Sequence, residues 1–377
     1  MSLILNEEQR LLADTAREFL SARSPVTAQR RLRDERVAEG FDAKLWQDIA
    51  GLGWTGIPFG EESGGLAFGY QGLGPVFEEI GRNLSATPLL SSVVLAGSLL
   101  EQAGSQAQRE AWLPALIAGE KRLALAVDEQ VRHDPSAIAL TAVADGDGLR
   151  LDGEKVFVVD GVGADGWLVV AREGADLGLF LVEAGTPGVT VMQTGLVDSR
   201  NHARLRLDGV RLPASARIGA AGEAAAVLDA ALDRGRLCQA AELLGASAKL
   251  FELTLEYLKT RVQFDAPIGS FQALQHRAAW CHVHLELARS TVMAGFAALD
   301  DAKCGADERA RLASLAKWKA GETAHRVSNE AVQMHGGIGV TDELDVGLYL
   351  KRIRVAQACL GDGDFHSQRY AALTGEG

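Results

Sequence analysis

The hydrophobic pattern of the chain changes its period twice, and this change limits the folds that are possible. Up to about Lys121 apolar residues recur at helical spacing, as at Leu12 and Ala16, whereas from Leu123 they alternate with polar residues. From Glu223 onwards the helical spacing returns. A helix buries one face with a period of about 3.6 residues, whereas a strand buries every second residue. The pattern therefore predicts a helical region, a β region and a second helical region.

The length of the chain agrees with this division, because 377 residues are more than a single hydrophobic core usually serves. We predict an α+β multidomain fold with domains at residues 1–121, 122–222 and 223–377. One helix of the last domain is predicted to carry a narrow stripe of small apolar residues, which indicates close packing in a bundle. The stripe consists of Leu274, Ala278, Cys281, Leu285, Ala288 and Val292.

The β region contains several short strands and two glycine-rich turns. We predict strands at residues 123–127, 139–144, 149–151, 155–159, 167–171, 177–182, 189–192 and 203–207. Residues 145–148, Asp-Gly-Asp-Gly, suit the positive φ angles of a hairpin turn. Residues 161–166 spell the G-x-G-x-x-G of dinucleotide-binding turns, but they precede a strand where that motif requires a helix. We therefore interpret them as a hairpin loop.

Charge and hydropathy exclude several classes of partner. A net charge of −12 argues against nucleic acid, because a phosphate backbone attracts basic surfaces. No apolar run approaches the ~20 residues that a membrane span needs. Glu7, Glu8 and Arg10 interrupt the first apolar stretch, so we predict no signal peptide and expect a cytoplasmic location.

The cysteines indicate neither a zinc site nor a disulfide framework, because no Cys-x-x-Cys pair is present. We interpret Cys238, Cys281, Cys304 and Cys359 as small buried hydrophobic residues.

A first motif, Arg261–Gln272, follows the predicted end of a long helix that begins near Ala224, and it reads Arg-Val-Gln-Phe-Asp-Ala-Pro-Ile-Gly-Ser-Phe-Gln. A permanent cation with a planar fork of donors, placed beside a helix N-terminus, suits a pyrophosphate. The alternative is a surface arginine that solvates a turn.

A second motif, Gln333–Gly339, reads Gln-Met-His-Gly-Gly-Ile-Gly and also follows a long predicted helix. A glycine C-cap would explain one glycine, but three glycines with a glutamine exceed what a cap requires. Such a loop leaves backbone N–H groups open to an anion.

A third motif near the C-terminus places a lone carboxylate, Asp362, between Gly361 and Gly363. Carboxylates act as general bases. Asp362, Asp364 and His366 could also be metal ligands, but no further acidic residue lies nearby, and we favour a polar loop without a metal.

Together these motifs resemble those of the acyl-CoA dehydrogenase family, which carries Arg-x-Gln-Phe-Gly-x-Pro-Ile-x-x-Phe-Gln, Gln-x-x-Gly-Gly-x-Gly and Tyr-Glu-Gly-Thr. The resemblance extends along nearly the whole chain. It implies an N-terminal helical domain, a middle β-barrel or sandwich domain and a C-terminal four-helix bundle. It also implies FAD as the cofactor and oxidation of an acyl-CoA thioester to the 2-enoyl-CoA.

The resemblance assigns roles to individual residues. It implies that the first two motifs are donated across a subunit interface to the FAD of a neighbour, and hence a homotetramer or a heterotetramer with a related subunit. The residues implied to contact FAD in this part of the chain are Arg261, Gln263, Phe264, Gln272, Gln333, Gly336, Gly337, Asp364 and His366.

The middle domain and the base position depart from the family pattern. The resemblance places Val127, Asp128, Phe157 and Val159 near the flavin, where Phe-Val-Val replaces Trp-Ile-Thr and a hydroxyl donor is lost. Backbone N–H groups of the strand could still reach the ring.

Asp362 stands where the family has glutamate and is about 1.3 Å shorter in reach. The other base position of the family is Gly235 in this chain, and the adjacent Arg236 matches an arginine near the acyl-CoA cleft.

Three functional alternatives remain open from the sequence. The chain could be a catalytically weak or non-catalytic subunit that completes FAD sites on a related polypeptide, or a nitroalkane-oxidase-like flavoenzyme that uses Asp362 as its base. A DNA-binding offshoot of the fold is disfavoured by the acidic balance. Electron-transferring flavoprotein is the expected electron acceptor by default, and the acyl chain is left open.

Overall fold

The computed structural model describes residues 5–375 and has the predicted order of helical, β and helical regions. Its first helix begins at a capping box, in which the Asn6 side chain accepts the N–H of Gln9 and the Gln9 side chain accepts that of Asn6. A π-helical segment at Leu89–Gly97 is buried throughout. The α-helices of this region are α1 (Glu7–Arg23), α2 (Val26–Glu35), α3 (Ala43–Gly51), α4 (Tyr70–Asn83), α5 (Ser98–Ala103) and α6 (Gln106–Ile117).

The middle region forms one mixed sheet in the order β6-β7-β3-β2-β4-β5-β8, and β1 pairs with β4 in parallel. Its core is built from the buried side chains of the alternating strands, among them Leu151, Val169, Phe180 and Leu205. The strands are β1 (Leu123–Ala126), β2 (Thr141–Asp145), β3 (Gly148–Val159), β4 (Gly166–Glu173), β5 (Asp176–Glu183), β6 (Val189–Gln193), β7 (His202–Pro213) and β8 (Arg217–Ile218).

The pairing confirms one predicted turn and corrects two other predictions. Asp145 pairs with Gly148 in the β2–β3 hairpin, and Gly146 has a φ of +65°. Residues 149–151 and 155–159 are not separate strands but parts of β3, which two register shifts interrupt.

The loop at residues 161–166 is not a hairpin, because β3 pairs with β2 and β7 while β4 pairs with β1, β2 and β5. The side chain of Asn201 holds this loop through both backbone groups of Val162. Local turn chemistry does not reveal such a crossover, since the partner strands are distant in sequence.

The last region is helical, and the predicted long helix is present at Ala224–Thr260. The predicted apolar stripe lies on the next helix, Gln272–Asp300, where Ala278, Cys281, Leu285, Ala288 and Val292 are buried and Leu274 is partly buried. The elements are α7 (Ala224–Thr260), the short strands β9 (Val262–Gln263) and β10 (Ala266–Pro267), α8 (Gln272–Asp300), α9 (Ala306–His335), α10 (Val346–Ala358) and α11 (Gly363–Thr374).

By their internal contacts the described residues fall into two compact units. One contains the chain up to Arg30, Tyr70–Ser85 and the chain from Arg236, and the other contains Arg31–Gly69 and Ala86–Gly235. In the first unit, the Asp300 carboxylate at the end of α8 accepts the N–H groups of Tyr70 and Gln71 at 2.8 and 2.7 Å, which caps α4. Helices from both ends of the sequence therefore share one core.

The cysteine prediction is half right. Cys238 and Cys281 are buried, but Cys304 and Cys359 are only partly buried, because the first lies in the turn after α8 and the second directly follows α10. Burial raises the pKa of the Cys281 thiol to about 11. Among the described helices, none is both long and apolar enough to span a bilayer.

Candidate functional site

The Arg261 motif forms a tight hairpin at the end of α7. Gln263 pairs with Ala266, and the two turn residues, Phe264 and Asp265, have φ angles of +56° and +60°. Positive φ at both positions defines a type I′ turn, which is unusual without glycine. Phe264 is 89% exposed, and the Arg261 side chain is also exposed. Within residues 5–375, no carboxylate pairs with the Arg261 guanidinium.

The remaining predicted residues of this motif are also exposed. Gln272 is the first residue of α8, and the Gln263 side chain donates only to the carbonyl of Val262, at 2.9 Å. Each of these polar groups therefore remains accessible to a ligand from outside the chain.

The Gln333 motif is an open glycine turn at the end of α9. Gly336 has φ +67° and ψ −145°, a conformation that favours glycine. A Cβ added to Gly336 or Gly337 would meet nothing within 4 Å, and Gln333 is exposed. The backbone conformation at Gly336 therefore favours glycine. The space around Gly336 and Gly337 is open.

The two motifs lie at the same end of the helical bundle. The rings of Tyr257 on α7 and His335 on α9 stack with centroids 4.4 Å apart, and the Arg261 N–H donates to the Tyr257 carbonyl at 2.9 Å. Burial lowers the pKa of His335, so its ring is held neutral at physiological pH. The stack places the exposed cation and the open glycine turn at adjacent helix ends, and both groups suit an anion such as a diphosphate.

Asp362 is the N-cap of α11. One of its carboxylate oxygens, Oδ1, accepts the N–H of Phe365 at 2.9 Å, and the residue is half-buried. The residues before it, Leu360 and Gly361, have φ angles of +59° and +110°, so the turn that presents Asp362 is strained at Leu360. A Cβ on Gly361 would overlap the ring of Phe365, which explains the glycine.

Arg236 and the two polar residues after Asp362 differ in their exposure. Arg236 is fully buried, donates from Nε to the Leu360 carbonyl at 3.2 Å, and lies over the Phe365 ring at 5.2 Å from its centroid. Asp364 is exposed, whereas His366 is 1% exposed. Among the described residues, no group of three or more His, Cys, Asp or Glu side chains is arranged to hold a metal ion.

Lys317 on α9 belongs to this site and was not identified from the sequence. Its ammonium donates to the carbonyls of Gln357 and Gly361 at 3.0 and 3.1 Å. Complete burial lowers its pKa to about 8. A sequence signal did exist, because Lys317 occupies a buried-face position of α9 in step with Ala313, Ala320 and Ala324.

The stability that Lys317 contributes is expected to depend on pH. Between about pH 8, its folded pKa, and 10.5, its ordinary pKa, the unfolded chain binds more protons, so stability rises with pH in this window. The gap corresponds to about 3 kcal/mol. Urea unfolding should show that the stability of the wild type relative to Lys317→Met increases by an amount of this order across the window. A difference that does not change with pH would contradict the assignment.

In the middle region a second buried lysine joins two of the predicted flavin-facing segments. Lys155 on β3 donates to the Val127 carbonyl at 2.9 Å and to the Glu129 carboxylate at 2.6 Å. Burial alone would raise the pKa of Glu129, but the hydrogen bond and charge of Lys155 leave it below the ordinary value. Val127 is buried, and Nδ1 of His133 lies 2.9 Å from an oxygen of the Asp128 carboxylate.

Phe157, another predicted flavin contact, has an unusual backbone. Its φ is +52°, and it lies in the second register shift of β3, between Lys155 and Val158. A bulky residue with positive φ is rare, and such strain clusters at functional sites. Phe157 and Val159 are both half-buried. Regular pairing is therefore interrupted in this part of β3.

The fold and these motifs are those of a flavin-dependent dehydrogenase, and two family models match the sequence. The acyl-CoA dehydrogenase N-terminal domain matches residues 6–120 and the acyl-CoA dehydrogenase C-terminal domain matches residues 224–372. This chain belongs to the acyl-CoA dehydrogenase family, whose cofactor is FAD.

Particular relatives cover nearly the whole chain. Acyl-CoA dehydrogenase FadE27 of Mycobacterium tuberculosis is 32% identical over 332 residues, which are 87% of this chain and 87% of the relative. A solved variant of the Tcur3481-Tcur3483 steroid ACAD is 32% identical with a TM-score of 0.89 and covers 98% of each chain. The ChsE4-ChsE5 complex from Mycobacterium tuberculosis is 29% identical with a TM-score of 0.90 and covers 100% of each chain.

Proposed function

We propose that the protein catalyses the FAD-dependent α,β-dehydrogenation of an acyl-CoA thioester to the 2-enoyl-CoA. The observation that carries this proposal is the joint placement of Arg261 and the Gly336–Gly337 turn, fixed by the Tyr257–His335 stack and open to an anionic ligand. FAD carries a diphosphate, and the net charge of −12 makes a local cation necessary for holding it.

The residues of this chain divide the task of holding FAD. Arg261 would pair with the diphosphate of a neighbouring subunit's FAD through its planar fork, while Gln263, Phe264, Gln272, Gln333 and the glycine turn would border the adenine half of that FAD. Asp364 and His366 would lie near FAD. In the middle region the backbone around Val127, Asp128, Phe157 and Val159 would contact the flavin half, and strand N–H groups would replace the hydroxyl donor that the sequence lacks.

Asp362 is the proposed general base. With Oδ1 engaged by the Phe365 N–H, its other carboxylate oxygen would take the proton from the carbon α to the thioester carbonyl. Bound FAD supplies the acceptor for the hydride that leaves the β carbon, so the electron pair of the α C–H bond forms the new double bond. Arg236, within α7, would lie near the substrate and would hold the base turn through the Leu360 carbonyl.

The absorbance spectrum of the purified protein tests this proposal. We expect flavin bands that bleach when a suitable acyl-CoA is added from a panel of chain lengths, with formation of one enoyl-CoA per flavin reduced and reoxidation by electron-transferring flavoprotein or a similar acceptor. Flavin that no acyl-CoA reduces, but that turns over with a nitroalkane and oxygen, would instead support the nitroalkane-oxidase-like alternative.

Replacing Arg261 with glutamine is expected to weaken FAD binding by on the order of 10- to 10²-fold, because a charge-assisted hydrogen bond contributes about 1.5–3 kcal/mol. Lys259→Gln is the matched control, since Lys259 is an exposed cation at the end of α7 that pairs with Glu256. Fluorescence titration of apoprotein with FAD measures both. Equal FAD affinity in the two variants would remove Arg261 from the site.

A second candidate role is that of a subunit in a hetero-oligomer. It is favoured by two solved relatives that are each named as a pair of polypeptides, Tcur3481-Tcur3483 and ChsE4-ChsE5. In that case this chain would donate Arg261 and the Gln333 turn to FAD on a related subunit and could be catalytically weak itself. Co-expression with a related chain would then yield a flavin-containing complex, while the chain alone would purify colourless.

A further inference from the structure

Two buried cations, Arg236 and Lys317, donate to the turn that precedes Asp362. No functional role has been given to Lys317. Leu360 and Gly361 adopt positive φ angles of +59° and +110° directly before Asp362. For leucine this conformation costs roughly 1–3 kcal/mol, so it persists only where neighbouring groups fix it. The contacts that fix this turn therefore decide where the carboxylate lies.

The carbonyl groups of the turn receive those contacts. The Leu360 carbonyl accepts Nε of Arg236 at 3.2 Å, and the Gly361 carbonyl accepts Nζ of Lys317 at 3.1 Å. Lys317 also reaches the Gln357 carbonyl at 3.0 Å, in the last turn of α10. Its ammonium thus bridges the end of α10 and the residue immediately before Asp362.

The burial of Lys317 is the second observation. It is 2% exposed, and Arg236 and Arg352 oppose its charge while Asp362 and Cys359 favour it. Placing an ammonium there is unfavourable, since burial is the largest effect and lowers the pKa of Lys317 in spite of the Asp362 carboxylate. A methionine or leucine would pack at this helix position without that cost. The lysine is therefore explained by what its three donors do at the two carbonyls.

On the other side of Asp362 the turn is closed by Phe365. The Phe365 N–H donates to Asp362 Oδ1 at 2.9 Å, and the Phe365 ring lies against the Arg236 guanidinium. Lys317 and Arg236 hold the backbone before the carboxylate, while Phe365 holds the carboxylate itself. Removal of the Lys317 contacts would free the Gly361 carbonyl and allow the strained turn to relax.

We propose that Lys317 is a positioning residue, which fixes the Leu360–Gly361 turn through the Gly361 carbonyl and so sets the position of the Asp362 carboxylate for proton removal. The proposal rests on the proposed function, in which Asp362 is the base. Lys317 acts through the backbone and does not touch the substrate. A displacement of about 1 Å at a reacting group can lower the rate by on the order of 10²-fold.

The test compares Lys317→Met with Lys319→Met in the FAD-loaded protein or in its complex. Lys319 lies on the same helix but is half-buried and contacts His284, away from the base turn. The readouts are bound FAD, the acyl-CoA concentration for half-maximal flavin reduction, the maximal rate of that reduction, and exchange of the substrate α-hydrogen with deuterated water.

We expect Lys317→Met to lower the maximal rate and the α-hydrogen exchange together by on the order of 10²-fold, with FAD content and acyl-CoA affinity unchanged. Lys319→Met should match the wild type in all four. Wild-type rates in a folded Lys317→Met protein would overturn the proposal. So would a parallel loss of FAD content and substrate affinity, which would indicate a general structural role.

If Lys317→Met does not fold, Lys317→Gln provides the second variant, because its amide keeps an N–H donor without the charge. A rate between those of the wild type and background would support the positioning role, and failure of both variants to fold would count against it. The wild type separates the two hypotheses. If it neither exchanges the α-hydrogen nor reduces its flavin with any acyl-CoA, the proposed function itself fails.

Discussion

Replacing Asp362 with asparagine is expected to lower the rate of α-proton removal by about 10²- to 10⁴-fold while leaving the stability of the protein nearly unchanged. The reason is that the helix cap and the proposed proton removal depend on different properties of the Asp362 side chain. Its Oδ1 caps α11 by accepting the Phe365 N–H, and asparagine caps helices about as well as aspartate. Only the carboxylate can take a proton, so asparagine removes the base and keeps the cap.

Asp362→Ala is the matched comparison. It should lose the same activity and also about 1 kcal/mol of stability, because alanine cannot cap the helix. Flavin reduction in a stopped-flow instrument and urea unfolding measure the two effects. Substantial flavin reduction in Asp362→Asn would show that Asp362 is only a helix cap. In that case the weak or non-catalytic subunit becomes the better description of the chain.

Replacing Lys155 with methionine is expected to destabilise the protein by roughly 3–5 kcal/mol, because it leaves the Glu129 carboxylate without its buried cation. The two side chains are 0% and 12% exposed, and their charged atoms are 2.6 Å apart. Glu129 retains the N–H groups of Ala139 and Leu140, which moderates the loss. Urea unfolding measures the effect.

Two further variants make this prediction specific. The double variant Lys155→Met with Glu129→Leu should recover much of the stability, since no charge is then left unpaired. Arg150→Met removes a cation from the same strand, but its pair with Asp152 is exposed on both sides and should contribute no more than about 1 kcal/mol. Additive losses in the double variant would show that Lys155 and Glu129 do not depend on each other.

Lys155 also connects stability to the cofactor. It holds the Val127 carbonyl against β3, two residues before the strained Phe157. Loss of this contact should therefore weaken flavin binding as well as lower the stability of the protein. Arg150→Met should leave flavin binding intact. Flavin content after gel filtration distinguishes the two variants.

Local features of the sequence predicted the parts of the site that depend on local geometry. The end of α7 before Arg261, the glycine turn after His335 and the β2–β3 turn all follow from helix ends and from residues that tolerate positive φ. The prediction of the 161–166 loop as a hairpin was wrong because strand pairing depends on partners elsewhere in the sheet. Local chemistry identifies a turn but not which strands it joins.

The sequence by itself determined the order of the regions and the two exposed motifs, because hydrophobic period and turn residues act over a few positions. Only the tertiary structure decided which charges are buried. Lys155 meets Glu129 across 26 positions, and Lys317 meets Gly361 across 44. The spacing of alanines around Lys317 indicates a buried helix face, but the groups that surround either lysine after folding cannot be read from the linear sequence. The same holds for Asp362, a helix cap and the proposed base, which follows a turn whose carbonyls accept hydrogen bonds from buried cations of two other helices.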